Sequence, residues 1–263
     1  MEILSIHTEG GNASRASQAS ELKHRESWGS HVPFLNRLRH LQLLSRFILR
    51  NHVFSFETDR KCVAFTFDDA PNEKSTCALV DLFVSHNGKA SFFCQGDKSE
   101  HYPEGVRYAA EHHFTIANHS YDHPRYTNLS SEEMLQQIER TNAILQNITK
   151  QRPTMLRPPY HAISQWQALR VRLRLNQTII GCNLAPTDWS LSSSEELADF
   201  LTNSVVPGAI VCLHDGYETT LNALIKALPV LRNKGFEFLS LEEMLQTGSP
   251  SPYRYTNINN LHS

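Results

Sequence analysis

The chain has 263 residues, of which 40% are hydrophobic and 20% charged, a composition typical of an ordinary globular protein. This length suits one domain with an irregular extension, or a single barrel domain. A formal net charge of −2 gives no reason to expect nucleic acid or an anionic membrane as the main partner, and five dispersed cysteines without a C-x-x-C pair favour reduced, buried thiols over a disulfide framework.

Residues 1–59 are predicted to form an N-terminal extension. Residues 8–31 are rich in Ser, Asn, Gly and charged types and favour disorder. Residues 35–54 place leucines near helical spacing with arginines between them, which predicts an amphipathic basic helix that packs on the following domain or, as an alternative, contacts a membrane surface. We recognise no secretory signal or membrane-spanning run, so we expect a cytoplasmic protein by default, or an extracytoplasmic one if the start is misleading.

From residue 60 to 247 strand patterns alternate with helix patterns, which predicts a parallel sheet closed into a barrel. Seven strands are predicted, at residues 62–67, 90–94, 114–117, 155–156, 178–182, 209–213 and 236–239. Helices are predicted at residues 73–86, 101–112, 131–147, 193–202 and 219–232. Residues 248–263 contain glycine and prolines and are expected to be a mobile tail.

Asp68 and Asp69 end the first of these strands. Because neighbouring residues at a strand end point in different directions, one carboxylate could bind a metal while the other handles a proton. An Asp-Asp pair taken alone is more often an ordinary acidic loop.

His119 and His123 are four residues apart, a spacing at which two imidazoles in a helical turn can bind one cation. The chain has 14 histidines, so roughly one such pair is expected by chance. Only the position of this pair, after a strand and downstream of the two aspartates, gives it weight.

Three later segments could complete a site. Arg157-Pro158-Pro159-Tyr160 is a stiff loop that could present the Tyr160 N–H to an oxyanion and Arg157 to a carboxylate. Asp188-Trp189 follows a strand, and His214 ends one, where a nearby carboxylate could orient a general-acid histidine. Each segment taken singly is better explained by a structural role.

Together, in this order, the five segments resemble the motifs of the polysaccharide deacetylases of carbohydrate esterase family 4. Those motifs are roughly T-F-D-D-G-P, H-S/T-x-x-H, R-x-P-Y, D-x-x-D-W and L-x-H, and the similarity covers about residues 61–246. The resemblance implies an α/β fold, a distorted (β/α) barrel with the site at the carboxyl ends of about seven parallel strands. It also implies removal of an N-acetyl group from a polymer or oligomer that contains N-acetylglucosamine, such as chitin or peptidoglycan.

By this resemblance, Asp69, His119 and His123 would bind one divalent metal ion, zinc first and cobalt, nickel or manganese as alternatives. Asp68 would be the general base, paired with Arg157, and the Tyr160 N–H would stabilise the oxyanion. His214 would be the general acid and Asp188 would hold its imidazole. The residues assigned to substrate binding are Tyr160, His161, Trp189, Cys212 and Leu213.

Four positions depart from the family pattern. Ala70 replaces a glycine and would be strained if that turn needs a positive φ. His161 also replaces a glycine, and Ala185 replaces the first aspartate of D-x-x-D-W. Cys212 stands where leucine usually lines the acyl pocket, so a different acyl group could fit.

Alternatives to N-deacetylation are therefore hydrolysis of O-acetyl groups on xylan, hydrolysis of a formamide or cyclic amide, or binding of glycan without turnover. The sequence does not decide between these, nor does it fix the oligomeric state.

Overall fold

The computed structural model describes residues 52–252, and the predictions made for residues 1–51 and 253–263 lie outside this range. Ten strands form one sheet. In chain order they are β1 (His52–Val53), β2 (Ser55–Glu57), β3 (Cys62–Ala70), β4 (Ser91–Cys94), β5 (Thr115–Asn118), β6 (Met155–Leu156), β7 (Thr178–Ile180), β8 (Ala209–His214), β9 (Glu237–Phe238) and β10 (Ser249–Ser251).

Eight helices surround the sheet within the described residues. They are α1 (Thr76–Ser85), α2 (Gly96–His101), α3 (Pro103–Glu111), α4 (Ser131–Thr149), α5 (Gln165–Leu175), α6 (Ser194–Ser204), α7 (Glu218–Asn233) and α8 (Leu241–Thr247). Local sequence sets several of the starts: α4, α5 and α8 each begin with a serine that exchanges hydrogen bonds with a Glu or Gln three residues on.

The strands follow the order β1-β7-β6-β5-β4-β3-β8-β2-β10, with β9 beside the start of β3. The central strands, β3 to β8, pair in parallel with one another. Among the described strands the antiparallel pairs are β2 with β8 and β2 with β10. Parallel strands joined by helices place all their carboxyl ends at one rim, so residues that follow different strands meet there.

The segment of residues 52–57, which we call the seam segment, closes the sheet between β7 and β8. Its first half pairs with β7, and the Gly181 N–H donates to the Val53 carbonyl at 2.7 Å. Its second half pairs with β8 and β10. Nearer the carboxyl rim, a bridge between Leu184 and Val211 joins the two sides directly. The sheet is therefore a nearly closed barrel.

Side-chain alternation along the strands separates an outer core from an inner one, and a smaller third cluster packs α4 and α5 against β6 and β7. The outer core lies between the sheet and the helices and includes Phe65, Phe67, Val211 and Leu213. The inner core fills the barrel and includes Ala64, Phe93, Ile180, Ile210 and Cys212, with Leu241 and Met244 of α8. Positions above this inner layer, near the carboxyl rim, carry the polar side chains described below.

The predicted α/β barrel is confirmed, and three local expectations need correction. Residues 52–57 form strands rather than the end of a helix or an extension, because their backbone completes the sheet. Residues 249–251, assigned to the tail, pair with β2 for the same reason. No element was predicted for α5, whose Leu and Arg residues alternate with a period of two, as in a strand, although the Ser164–Gln167 cap starts a helix.

Among residues 52–252, no helix is both long and apolar enough to cross a bilayer.

Candidate active site

Polar and charged side chains from five segments meet at the carboxyl rim of the barrel. Asp68 and His214 are register partners on the adjacent strands β3 and β8, so their side chains share a face. His119 directly follows β5, and Arg157 directly follows β6. Segments far apart in the chain are thus brought together only because their strands are neighbours in the sheet.

Asp68 and Arg157 form a buried ion pair. Arg157 Nη1 lies 2.6 Å from Asp68 Oδ1, and the two residues are 0% and 4% exposed. Burial alone would raise the pKa of Asp68, but the guanidinium, together with His119 and His214, holds the pKa below its ordinary value. Asp68 is therefore an anion at neutral pH.

The other donors of Arg157 are occupied as well. Its Nη2 donates to the Gly181 carbonyl at 2.8 Å, its Nε donates to the Ile180 carbonyl at 3.2 Å, and its Nη1 also donates to the Thr66 hydroxyl. The guanidinium carbon lies 4.1 Å from the centre of the Phe93 ring. These contacts fix the guanidinium in place, which in turn fixes the carboxylate of Asp68.

Asp69, His119 and His123 bring three potential ligand atoms together. Asp69 Oδ1 lies 3.7 Å from His119 Nε2 and 3.4 Å from His123 Nε2, and the three ligand atoms lie within 4.8 Å of one another. The His119 Nδ1–H donates to the Arg157 carbonyl at 2.7 Å, which leaves the lone pair of neutral Nε2 for a ligand.

The protonation of these histidines suits a cation site. Burial lowers the pKa of His119 to about 4, although Asp68 and Asp69 oppose the shift. Burial also lowers the pKa of His123. Neutral imidazoles and one carboxylate are the donor set of an open divalent-cation site, so these three residues fit the metal that the sequence motifs imply.

His214 is held by Asp188 on the other side of the site. The Nδ1–H donates to Asp188 Oδ1 and the backbone N–H to Oδ2, both at 2.8 Å. Thr220 donates to the same carboxylate at 2.7 Å. Burial would lower the pKa of His214, but the bond to Asp188 and the nearby Asp68 raise it above its ordinary value. Nε2 of this imidazole is therefore suited to carry a proton.

Two exposed aromatic side chains border the site. Tyr160 is 58% exposed, and its ring centre lies 4.7 Å from that of His123 and 4.4 Å from the guanidinium carbon of Arg125. Trp189 is 50% exposed and lies edge-on to His214, with ring centres 4.6 Å apart. Large aromatic faces open to solvent beside polar groups can pack against a sugar or an acyl group.

Below the rim, Cys212 lies next to the ion pair. Its thiol donates to Asp68 Oδ2 at 3.4 Å, and Arg157 Nη1 lies 3.5 Å from its sulfur. His161 reaches inward toward Cys182, with 3.7 Å between Nε2 and Sγ. Leu213 was assigned to substrate binding, and this is wrong: alternation along β8 points its side chain into the outer core, where it is completely buried.

Several site residues adopt left-handed backbone conformations. Positive φ angles occur near the carboxyl rim at Asp69, close to the end of β3, and at Ser120, His123, Tyr160, His161 and Thr187 in the segments that follow the strands. Ala70, for which strain was expected, does not have a positive φ, because the turn places this conformation one residue earlier, at Asp69. A residue other than glycine adopts the left-handed backbone conformation only at a cost in free energy. Residues with this conformation concentrate at functional sites.

Sequence reasoning missed the residues that support the site. Gln95 Nε2 donates to Asp69 Oδ1 at 2.5 Å, and Lys98 Nζ donates to the Asp69 carbonyl at 2.9 Å. Both follow β4, and position after a strand was the only available signal. The resemblance already assigns Asp188 to the His214 imidazole, and the two are hydrogen-bonded. The adjacent Asp215 instead accepts hydrogen bonds from Ser75 and Thr76.

Comparisons with known proteins identify relatives of this chain. A family model described as polysaccharide deacetylase matches residues 56–175. The peptidoglycan-N-acetylglucosamine deacetylase of Bacillus cereus is 32% identical over 200 residues, which cover 74% of this chain and 72% of that protein. The peptidoglycan-N-acetylmuramic acid deacetylase PdaC of Bacillus subtilis is 29% identical over 72% of this chain, but the match spans only 39% of that protein.

Solved structures of peptidoglycan deacetylases have a fold similar to that of this chain. The Bc1960 peptidoglycan N-acetylglucosamine deacetylase superposes with a TM-score of 0.71 at 30% identity, covering 76% of this chain and 95% of that one. The structure of PdaC from Bacillus subtilis gives a TM-score of 0.68 at 29% identity, covering 73% of this chain and 93% of that one.

Proposed function

The chain belongs to the polysaccharide deacetylase family, and we propose that it hydrolyses the N-acetyl group of N-acetylglucosamine residues in a peptidoglycan or chitin-like polymer or oligomer. The named relatives act on peptidoglycan, and a further relative, from Rhizobium leguminosarum, is a chitooligosaccharide deacetylase at 29% identity. An acetylated amino sugar is the substrate unit common to these names.

One observation carries the proposal. An anionic Asp68 lies beside the three-residue ligand set, while a histidine with a raised pKa, His214, is its partner on the next strand. Amide hydrolysis needs a base to activate water and an acid to protonate the departing amine. The site supplies the two groups in those protonation states at the same pH.

Asp69, His119 and His123 are the residues that would hold a divalent cation. When bound by these residues, a divalent cation would supply a water molecule of lowered pKa and a positive charge to polarise the acyl oxygen. Zinc suits two imidazoles and one carboxylate, with cobalt, nickel and manganese as alternatives to be tested.

Different residues of the chain carry out the two proton transfers and stabilise the oxyanion. Asp68 accepts a proton from the attacking water, and Arg157 keeps that carboxylate ionised beforehand. The Tyr160 N–H donates to the oxyanion that forms on the acyl carbon. His214 donates its Nε2 proton to the leaving amine, and Asp188 stabilises the imidazolium until that step.

In this proposal Cys212 and Trp189 determine which acyl group fits the site. Trp189 forms one wall beside His214, and Cys212 lies on the floor next to Asp68. A thiol is smaller than the leucine that usually stands there, so O-acetyl, formyl and cyclic amide substrates belong in the same assay. The non-enzymatic alternative, glycan binding without turnover, is opposed by the complete set of proton carriers.

The test is acetate release from an N-acetylglucosamine oligomer and from peptidoglycan, with metal-stripped protein and after zinc or cobalt is restored. We expect release only with metal, and losses of about 10²–10⁴-fold in Asp68→Asn and in His214→Ala. The matched controls are Asp81→Asn and His101→Ala, both exposed and outside the site, which should keep wild-type activity. Metal-loaded protein that releases no acetate from either substrate would refute the proposal.

A further inference from the structure

A second group of potential metal ligands lies at the floor of the site. His161 Nε2, Cys182 Sγ and Cys212 Sγ all lie within 4.8 Å of one another, and the first two are 3.7 Å apart. None of the three residues belongs to the Asp69–His119–His123 set. Both cysteines are free thiols and almost completely buried, while His161 is partly exposed.

We propose that His161, Cys182 and Cys212 form a second cation site that binds a thiophilic divalent ion such as Zn²⁺ or Cd²⁺. Two sulfur donors and one imidazole make this site chemically different from the oxygen- and nitrogen-donor set beside it. Soft thiolate ligands select soft cations, whereas carboxylate and imidazole ligands accept a wider range.

The spacing of the donors fits one tetrahedral ion. With Zn–S bonds near 2.3 Å and Zn–N bonds near 2.0–2.1 Å, two ligands of one zinc ion lie roughly 3.5–3.8 Å apart. The 3.7 Å between His161 Nε2 and Cys182 Sγ already falls in this range. The remaining pairs, which are at most 4.8 Å apart, need a contraction of at most about 1.3 Å.

Charge also favours a cation at this position. The guanidinium of Arg157 and the carboxylate of Asp68 neutralise each other, so two thiolates and a divalent ion leave the buried group neutral as a whole. Arg157 Nη1 already points its N–H at Cys212 Sγ, at 3.5 Å. An N–H donor to a ligating sulfur stabilises the thiolate form, as outer-shell donors do in metal sites.

The backbone of His161 supports a specific role for its side chain. Its φ is +53°, a conformation that glycine adopts without strain and a histidine does not. Its imidazole points toward Cys182 and is the ligand nearest the solvent, which provides an entry path. The site is therefore composed of two buried sulfurs and one accessible nitrogen.

The experiment is a Cd²⁺ titration of the reduced full-length chain under anaerobic conditions, followed by ultraviolet absorbance and by metal analysis after gel filtration. We expect two Cd²⁺ ions per chain, one of which produces thiolate-to-cadmium charge-transfer absorbance. The double variant Cys182→Ser/Cys212→Ser should bind one ion and show no such absorbance. Its control, Cys62→Ser/Cys77→Ser, should bind two ions with the wild-type spectrum.

His161→Gly provides a test that does not depend on altering the buried thiols, since glycine accommodates the positive φ. Loss of an outer-shell partner alone weakens metal binding by roughly 10–100-fold, so loss of a ligand should weaken the absorbing site at least that much. Wild-type affinity in His161→Gly, or charge-transfer absorbance that persists in Cys182→Ser/Cys212→Ser, would overturn the proposal. A single bound ion without absorbance would do so as well, whatever the outcome of the acetate assay.

Discussion

Replacement of Arg157 by methionine tests how much the buried Arg157–Asp68 ion pair contributes to the free energy of unfolding. In the variant Asp68 keeps its burial, at 4% exposure, but loses its only ion-pair partner of opposite fixed charge within the described residues. Methionine has a similar length and can still pack on Phe93. The change therefore removes the charge and its hydrogen bonds with little loss of volume.

The magnitude follows from burial. Removal of one partner of a buried pair costs about 3–5 kcal/mol, because the other charge is left uncompensated. The carbonyl groups of Ile180 and Gly181 lose their guanidinium donors as well. We therefore expect Arg157→Met to lower the free energy of unfolding by about 3–5 kcal/mol at pH 7.

The assay is equilibrium urea unfolding of the metal-free protein. The free energies of unfolding of the wild type and the variant are compared provided that both have the same m-value, the slope of that free energy against urea concentration. The control is Arg152→Met, which breaks the Arg152–Glu139 pair. That pair is 2.5 Å long, against 2.6 Å for Arg157–Asp68, but its side chains are 42% and 48% exposed. Exposed pairs contribute less than about 1 kcal/mol, so the two variants differ in burial rather than in bond length.

The pH dependence of the free energy of unfolding provides a second test of the role of Arg157. In the wild type the lowered pKa of Asp68 stabilises the fold above the ordinary value of 3.8, and this contribution is lost as the pH falls toward the folded-state pKa. Without Arg157, burial raises that pKa, so the variant is penalised at neutral pH and the penalty shrinks as the carboxyl group becomes protonated. A deficit no larger than that of Arg152→Met, or one that grows between pH 7 and pH 4.5, would refute this reasoning.

Three further predictions concern the acid, the first cation site and the barrel seam. Asp188→Asn should move the alkaline limb of kcat/KM to lower pH, because the carboxylate that raises the pKa of His214 is gone while the acid must still be protonated; a pH–rate profile checks this. Gln95→Ala should weaken zinc binding by roughly 10–100-fold in a competition assay with a chelator, since it removes the amide that holds the ligating carboxylate. Gly181→Ala should lower the free energy of unfolding by about 1–3 kcal/mol in urea, because the added Cβ would lie 2.3 Å from the Phe54 ring.

Each of these predictions has a control. Asp215→Asn should leave the alkaline limb in place, because Asp215 bonds to Ser75 and Thr76 rather than to the imidazole. An equal shift in both variants would contradict the role given to Asp188. If Gln95→Ala binds zinc with wild-type affinity, the hydrogen bond from Gln95 to the Asp69 carboxylate does not contribute to metal binding. For Gly181→Ala, the double variant with Phe54→Ala should recover part of the loss, and no recovery would contradict the steric explanation.

The barrel was predictable because its parallel strands are short apolar runs that alternate with helical patterns. The site was predictable to the extent that its residues follow strands: Asp68, His119 and His214 are all placed by the carboxyl ends of β3, β5 and β8. Local sequence contains this positional information.

Contacts across the sheet were not predictable. The strand roles of residues 52–57 and 249–251 depend on partners far away in sequence, and nothing in a three-residue segment reveals such a partner. The side to which a strand residue points requires the register, which is why Leu213 was assigned to the wrong face. Cys182 was treated only as a core thiol because its proximity to His161 arises from loops that follow different strands.

The seam segment has a consequence for the motions of the protein. The Val53 carbonyl accepts from the Gly181 N–H, the Gly181 carbonyl accepts from Arg157, and Arg157 holds Asp68. Strands of two and three residues have few hydrogen bonds to lose, so they are the part of a sheet that opens most readily in the native state. We therefore expect amide hydrogen exchange at Gly181 to report openings of the seam segment, and each opening to loosen the backbone whose carbonyl accepts from the Arg157 guanidinium.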